Sequence, residues 1–259
     1  MRILCLHGKG CSGAVFRSQT EMVRKYLEDM DIDYDFPNAP FSSAPATGVD
    51  VVYDPPYYAF WQNDNLQSIQ DACTWLRSYI AQNGPYDAIF AFSQGGILLS
   101  SALLLDQAMA PDQASLIKAA VFFSGGPPLT VMDSLGFEIP EDTWSRDRVS
   151  RLSLDVNVGA RKTQDKWVGP SLEKGEITEE ELRDEIAGPY SISIPTLHFY
   201  GTKDPRFESS VELSGLCDAA KMKLCNHQGT HDIPRKNSVS ENMASALRGF
   251  FEDLRDSST

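Results

Sequence analysis

A bend of small residues, Ala91-Phe92-Ser93-Gln94-Gly95-Gly96, lies between two apolar runs, Ala88-Ile89-Phe90 and Ile97-Leu98-Leu99. That order reads as a buried strand, a sharp turn and a buried helix. Small residues two before and two after the serine let strand and helix approach, and the strained bend lifts a hydroxyl clear of the sheet. The pattern is A-x-S-x-G, with Ala91 where the usual form has glycine. A plain strand–helix turn would look the same locally, so the rest of the chain has to decide.

Strand-like and helix-like segments alternate along that rest. Arg2–Leu6 is a short apolar strand ending in His7-Gly8-Lys9-Gly10. Helical spacing follows over 14–30, and a second strand over Tyr34–Phe36. A long loop rich in Pro, Ser, Ala and Gly covers 37–57. Asn65–Gln82 is an amphipathic helix stopped by Gly84-Pro85. A nearly all-apolar helix from Gly96 to about Met109 must be buried. Ala119–Phe123, Thr196–Tyr200 and Met222–Cys225 are further strands, with helices over Phe207–Ala220 and Glu241–Leu254. Such alternation predicts a mostly parallel sheet with helices on both faces, in one domain spanning 1–259.

The stretch of 68 residues between Gly126 and Pro195 breaks the rhythm. It lacks a central strand and is too long for a structureless loop. Thr178-Glu179-Glu180-Glu181 reads as a capping box. A partly helical cap or lid over about 127–194 is expected; a peripheral insertion away from any site is the alternative.

Composition narrows the function. A formal charge of −13 argues against general nucleic-acid binding. No apolar run reaches the ~18 residues of a membrane span, and the short apolar start does not read as a signal peptide. Five cysteines without regular spacing suggest free thiols and a cytoplasmic setting. No Cys/His cluster suggests a metal. Charge is uneven: residues 146–166 carry six Arg/Lys against three Asp. A solvated face explains this; a docking patch built on Arg146, Arg148, Arg151, Arg161, Lys162 and Lys166 is the sharper reading.

A serine needs a base to act as nucleophile, and the base needs an acid to fix its tautomer. In an α/β-hydrolase arrangement these follow in the order Ser, acid, His, on loops after successive strands. Asp204 follows the Thr196–Tyr200 strand and His231 follows the Met222–Cys225 strand. Both positions lie beyond carboxyl ends of strands, where sites of open α/β sheets collect. Of four histidines, His7 is expected to organise its glycine loop, His198 to sit in a strand and His227 to be exposed, which leaves His231 as base. Asp232 is adjacent to His231 in sequence and therefore poorly placed to orient its ring. Backbone N–H groups of Gln94 and Lys9 are the candidate oxyanion donors. The Gly-rich start lacks G-x-G-x-x-G, which disfavours a dinucleotide site.

Taken together these segments resemble the family of serine hydrolases 1, a fungal branch of the α/β-hydrolases. The resemblance rests on Leu4-Cys5-Leu6-His7-Gly8, Phe16-Arg17, Phe41-Ser42-Ser43-Ala44-Pro45 and Tyr57-Tyr58-Ala59-Phe60-Trp61. It continues through Phe92-Ser93-Gln94-Gly95, His198-Phe199-Tyr200-Gly201-Thr202-Lys203-Asp204 and Gly229-Thr230-His231. It implies an α/β-hydrolase fold and a Ser93–His231–Asp204 triad that needs no cofactor. It also implies hydrolysis of an acyl ester or thioester, in some relatives a polyketide chain held on a synthase carrier domain. Tyr57, Phe60 and Trp61 would then line the substrate pocket, with core packing as the alternative for each. An acyltransferase or cyclase on the same triad, and a slow-turnover ligand receptor, remain open because fold does not dictate the acceptor.

Overall fold

Side-chain alternation along the central strands divides the core in two. The computed structural model describes residues 1–111, 115–160 and 177–256. The chain runs β1 (Arg2–Leu6), α1 (Gly13–Gln19), α2 (Glu21–Lys25), β2 (Asp33–Asp35), β3 (Phe41–Ser42), β4 (Tyr58–Ala59), α3 (Leu66–Asn83), β5 (Ala88–Phe92) and α4 (Gln94–Met109). It continues through β6 (Ala120–Phe123), α5 (Leu129–Ser134), α6 (Glu141–Ala160), α7 (Glu179–Asp184), β7 (Thr196–Tyr200), α8 (Phe207–Gly215), β8 (Met222–Asn226) and α9 (Asn237–Asp256). Six strands form one parallel sheet in the order β2-β1-β5-β6-β7-β8.

On one face Leu4, Leu6, Ile89, Ala91, Ala120 and Phe122 pack with residues of α3, α4 and α5. On the other, Ile3, Cys5, Phe90, Phe92, Val121, Phe123 and Phe199 pack with Phe16, Val23 and the α9 stripe Met243, Ala244, Leu247, Phe250 and Phe251. Burying each large apolar side chain is worth about 1.5–3 kcal/mol, so the two layers dominate the stability. Helix α3 starts where Asn65 accepts from Ser68 N–H at 2.9 Å, and it buries Ile69, Ala72, Cys73, Leu76 and Ile80 at helical spacing. Helix α4 is buried nearly all round, as its composition requires.

Strand register determines where the loops emerge. Leu6 pairs with Ala91, Phe92 with Phe123, Phe123 with Phe199, and Tyr200 with Asn226. The carboxyl ends of β1, β5, β6, β7 and β8 are therefore level. The loops holding Lys9, Ser93, Ser124, Asp204 and His231 leave one edge of the sheet together.

Some details depart from the sequence expectations. The helical stretch over 14–30 is broken at Thr20, whose hydroxyl donates to Phe16 O at 2.9 Å and competes for the backbone. The loop over 37–57 contains β3, which pairs antiparallel with β4. All five cysteines are free. No helix among the described residues is long and apolar enough to cross a membrane.

Between β6 and β7 lie α5, α6 and α7. Leu129, Val131 and Met132 of α5 join the core beside α3 and α4. Helix α7 opens with the capping box anticipated from sequence: Glu181 N–H donates to Thr178 Oγ1 at 3.2 Å, and Thr178 N–H donates to Glu181 Oε2 at 2.7 Å. Helix α6 is attached to α8 and its approach by ion pairs. Arg146 bonds Glu212 Oε1 at 3.0 Å and also meets Glu185. Within α6 itself Arg151 bonds Asp147 at 2.7 Å, and Arg148 pairs with Glu141 at 2.8 Å. Of these three docking-patch arginines, Arg146 is almost enclosed between its two carboxylates, whereas Arg148 is exposed and Arg151 half-exposed. Arg161, Lys162 and Lys166 lie outside the described residues.

Glu212 is fully buried, and its Oε2 finds no hydrogen-bond partner among the described residues. Burial pushes its carboxyl up to about 7, against the opposing pull of Arg146. A carboxyl with a higher pKa in the fold binds its proton more tightly there than in the unfolded chain. Its contribution is complete below the ordinary carboxylate range and is lost as pH rises through about 7. Glu212→Gln has no such slope. Between about pH 5 and about pH 8 its melting temperature should gain roughly 5–10 °C on the wild type, read by thermal denaturation across the pH series. A pH-independent difference would show that Glu212 does not titrate in this window.

Candidate active site

Ser93 sits between β5 and α4 with φ 51° and ψ −113°. A non-glycine residue held there costs about 1–3 kcal/mol, so the surroundings must impose it. They do so from both sides. Ser93 N–H donates to Phe123 O at 3.1 Å, and Ser93 O accepts from Gly96 N–H at 2.9 Å. A Cβ on Gly95 would lie 2.5 Å from Leu6 O, so only glycine lets α4 start so close to β1. Ala91, the departure from the usual glycine, is wholly buried and accommodated.

The loop after β8 brings His231 to this serine. His231 Nε2 lies 3.1 Å from Ser93 Oγ. His231 Nδ1 lies 2.8 Å from Asp204 Oδ2 and 3.0 Å from Oδ1. A carboxylate can only accept, so Nδ1 carries the proton and Nε2 is free to accept from the serine hydroxyl. The loops that hold Asp204 and His231 brace each other: Lys203 N–H donates to Gly229 O at 2.9 Å. Gly201 approaches so closely that a Cβ there would lie 2.1 Å from that same oxygen.

Asp204 is fully buried. Burial pushes its pKa up, but the His231 ring beside it and hydrogen bonds from His231 and the Arg206 N–H (2.7 Å) outweigh this and hold it below the usual carboxylate value. The Ser124 hydroxyl approaches the same carboxylate, close enough to favour its charge but without sound hydrogen-bond geometry. Ser124 itself has φ 46°. Sequence reasoning missed Arg206 and Ser124. Arg206 lies directly after Asp204-Pro205, and Ser124 opens the Ser-Gly-Gly turn after β6, but neither carries a local signal for a role.

The other histidines are placed elsewhere. His7 is fully buried; its Nε2 accepts from Ala39 N–H at 3.0 Å, and its Nδ1–H donates to Gly8 O at 2.7 Å. Burial lowers its pKa to about 4, so it stays neutral and holds the glycine loop. His198 stacks on Phe122 inside the sheet, and burial lowers its pKa to about 3. His227 is half-buried rather than exposed; its Nδ1 accepts from Gly229 N–H at 3.1 Å. Asp232 is exposed.

Lys9 and Gln94 flank the serine from two elements. A Cβ on Gly8 would lie 3.3 Å from Ser93 Cβ, so the backbone leading to Lys9 runs against the serine. Among the described residues no acceptor is found for the N–H groups of Lys9 and Gln94. The Gln94 side chain is buried and fully used: Oε1 accepts from Phe60 N–H at 3.0 Å, and Nε2 donates to Trp61 O at 3.1 Å.

Tyr57, Phe60 and Trp61 retain 7%, 0% and 2% of their surface. Phe60 packs on His7 and Trp75, Trp61 Nε1–H donates to Asp64, and the Tyr57 hydroxyl donates to Tyr53 O. The Phe60 and Trp61 rings thus pack in the core and present almost no surface to a ligand. Open space lies beside Lys9, in a cleft of about 380 Å³ lined by Lys9, Ser42, Ser43, Ala44, Ala59 and Gln62.

The chain is similar to known proteins in sequence and in fold. The family described as "Serine hydrolase (FSH1)" matches residues 1–243. Hydrolase FUB4 of Fusarium oxysporum is 27% identical over 252 residues, covering 92% of this chain and 93% of its own. Esterase FPY3 of Fusarium mangiferae is 28% identical over 237 residues, covering 91% and 89%. Among solved structures, the carboxylesterase from Mesorhizobium loti superposes with a TM-score of 0.52 at 11% identity, covering 96% of this chain and 88% of its own. A SOBER1 point variant from Arabidopsis thaliana gives 0.51 at 18% identity, covering 97% and 100%. The structural likenesses show the α/β-hydrolase fold. The family match, which spans nearly the whole chain, shows that the protein belongs to the serine hydrolase (FSH1) family.

Proposed function

We propose that the protein is an acyl esterase or thioesterase that works through an acyl-Ser93 intermediate. The observation that carries this reading is the unbroken run of contacts from Ser93 Oγ through His231 to buried Asp204, at 3.1 and 2.8 Å. Ser93 Oγ attacks the acyl carbonyl as His231 Nε2 takes its proton. Charge develops on the carbonyl oxygen, where the unpartnered N–H groups of Lys9 and Gln94 receive it. His231 then gives its proton to the departing alcohol or thiol. Water, deprotonated by the same nitrogen, frees the acid and restores Ser93. Asp204 stays ionised throughout and orients the ring.

For substrate, the reading is a small-molecule acyl ester or thioester, of polyketide type in fungal secondary metabolism. Support comes from the motif resemblance and from curated relatives that are fungal hydrolases and esterases. The cleft beside Lys9 is the proposed seat of the group next to the reacting carbonyl.

Ser93→Ala should leave the fold intact and lower turnover by at least about a thousandfold. A fluorophosphonate probe, read by intact-protein mass spectrometry, should label the wild type and not the variant; labelling that persists removes Ser93 as nucleophile. Asp204→Asn should slow turnover by up to about 10⁴-fold because the amide favours the wrong tautomer, whereas Asp232→Asn should change it by less than about threefold. Reversed effects in folded variants would move the acid to Asp232. Matched oxygen esters and thioesters of one acyl chain, assayed with and without added alcohol, test the acceptor. Continued acid release after an initial burst supports hydrolysis, while product that requires the alcohol supports transfer instead.

A further inference from the structure

Helix α6 reaches the acid loop through one residue. The Arg206 side chain is almost wholly buried, and its guanidinium bonds two groups of α6: Nη2–H donates to Asp147 Oδ1 at 2.9 Å, and Nη1–H donates to Ser150 Oγ at 3.0 Å. Its backbone N–H donates to Asp204 Oδ1 at 2.7 Å. Arg206 is thus bonded to the proposed catalytic acid at one end and to the insertion at the other. Asp147 is itself buried and held from its far side by Arg151. Gly126, after β6, leaves the room the guanidinium occupies: a Cβ there would lie 2.6 Å from Arg206 Nη2.

A planar guanidinium bonded at two points and buried restrains the backbone that carries it, and that backbone supplies one of the donors that fix the Asp204 carboxylate. We propose that Arg206 is a positioning residue, through which α6 sets the orientation of Asp204 and hence of the His231 ring. The insertion between β6 and β7 then acts on catalysis from behind the acid, and does so whether or not it also covers substrate. This inference rests on the Ser93–His231–Asp204 reading, whose own failure would show separately as activity retained in Ser93→Ala.

The test compares Arg206→Met with Asp147→Asn, which weakens the same link from the α6 side without touching the acid loop. Each is assayed per active site titrated with the fluorophosphonate probe, so that loss of folded protein is not counted as loss of rate. Arg206→Met should lower kcat by about 10–100-fold with KM changed less than about threefold, because the link serves the reacting groups rather than binding. Asp147→Asn should lower kcat in the same direction by a smaller factor, and Arg206→Lys should recover part of the loss. The downfield proton resonance of the His231–Asp204 hydrogen bond should broaden or shift in both Arg206→Met and Asp147→Asn. If Arg206→Met does not fold, Asp147→Asn and Arg206→Lys carry the test. Lowered melting temperatures with unchanged kcat per active site and an unchanged resonance would overturn the proposal and leave Arg206 a structural tie.

Discussion

The closeness of α4 to β1 at Gly95 is the constraint on which the rest of the site depends. Without a side chain at Gly95, the helix starts against the carbonyl of Leu6. The chain then has to turn within one residue, and Ser93 takes the strained conformation that the turn demands. The same closeness brings the first N–H groups of α4 and the glycine loop after β1 to the serine from two sides. Strand register does the rest, because level carboxyl ends of β5, β7 and β8 deliver serine, acid and histidine to one edge.

Electrostatics in the insertion follow a different logic from the site. Three arginines of α6 and Arg206 meet Glu141, Asp147, Glu185 and Glu212 in three separate groups of ion pairs, two of them largely buried. Buried pairs of this kind contribute little net stability, since desolvation offsets attraction, but removing one partner is costly. Two of them join α6 to other elements: Arg146 to Glu212 of α8, and Asp147 to Arg206 of the loop after β7.

Much of the fold was legible because its signals are local. Apolar runs near glycine or proline marked β1, β5 and β7 within a residue or two, and Thr178 with Glu181 marked the start of α7. Ser93, Asp204 and His231 stood out because each follows a predicted strand. What stayed hidden depends on partners distant in sequence. Nothing around Arg146 announces Glu212, and nothing around Arg206 announces Asp147. The row Tyr57, Phe60 and Trp61 reads alike in sequence whether it lines a pocket or fills a core; the packing of Phe60 against His7 and Trp75 is a contact with residues distant in sequence. The β3–β4 hairpin was missed because two-residue strands carry no periodicity.

Gln94 illustrates how narrow the tolerance at one position can become. Its amide receives from Phe60 N–H and donates to Trp61 O, both in the interior. A carboxylate of the same shape could satisfy the first group but not the second, and would set a negative charge one residue from the serine. A longer cation would reverse the mismatch, and an aliphatic chain would leave both backbone groups bare. A primary amide of this length supplies both an acceptor and a donor across that gap. A substitution that leaves one of the two backbone groups unpaired costs about 1–3 kcal/mol for each, so changes at Gln94 and in the Phe60–Trp61 segment are coupled.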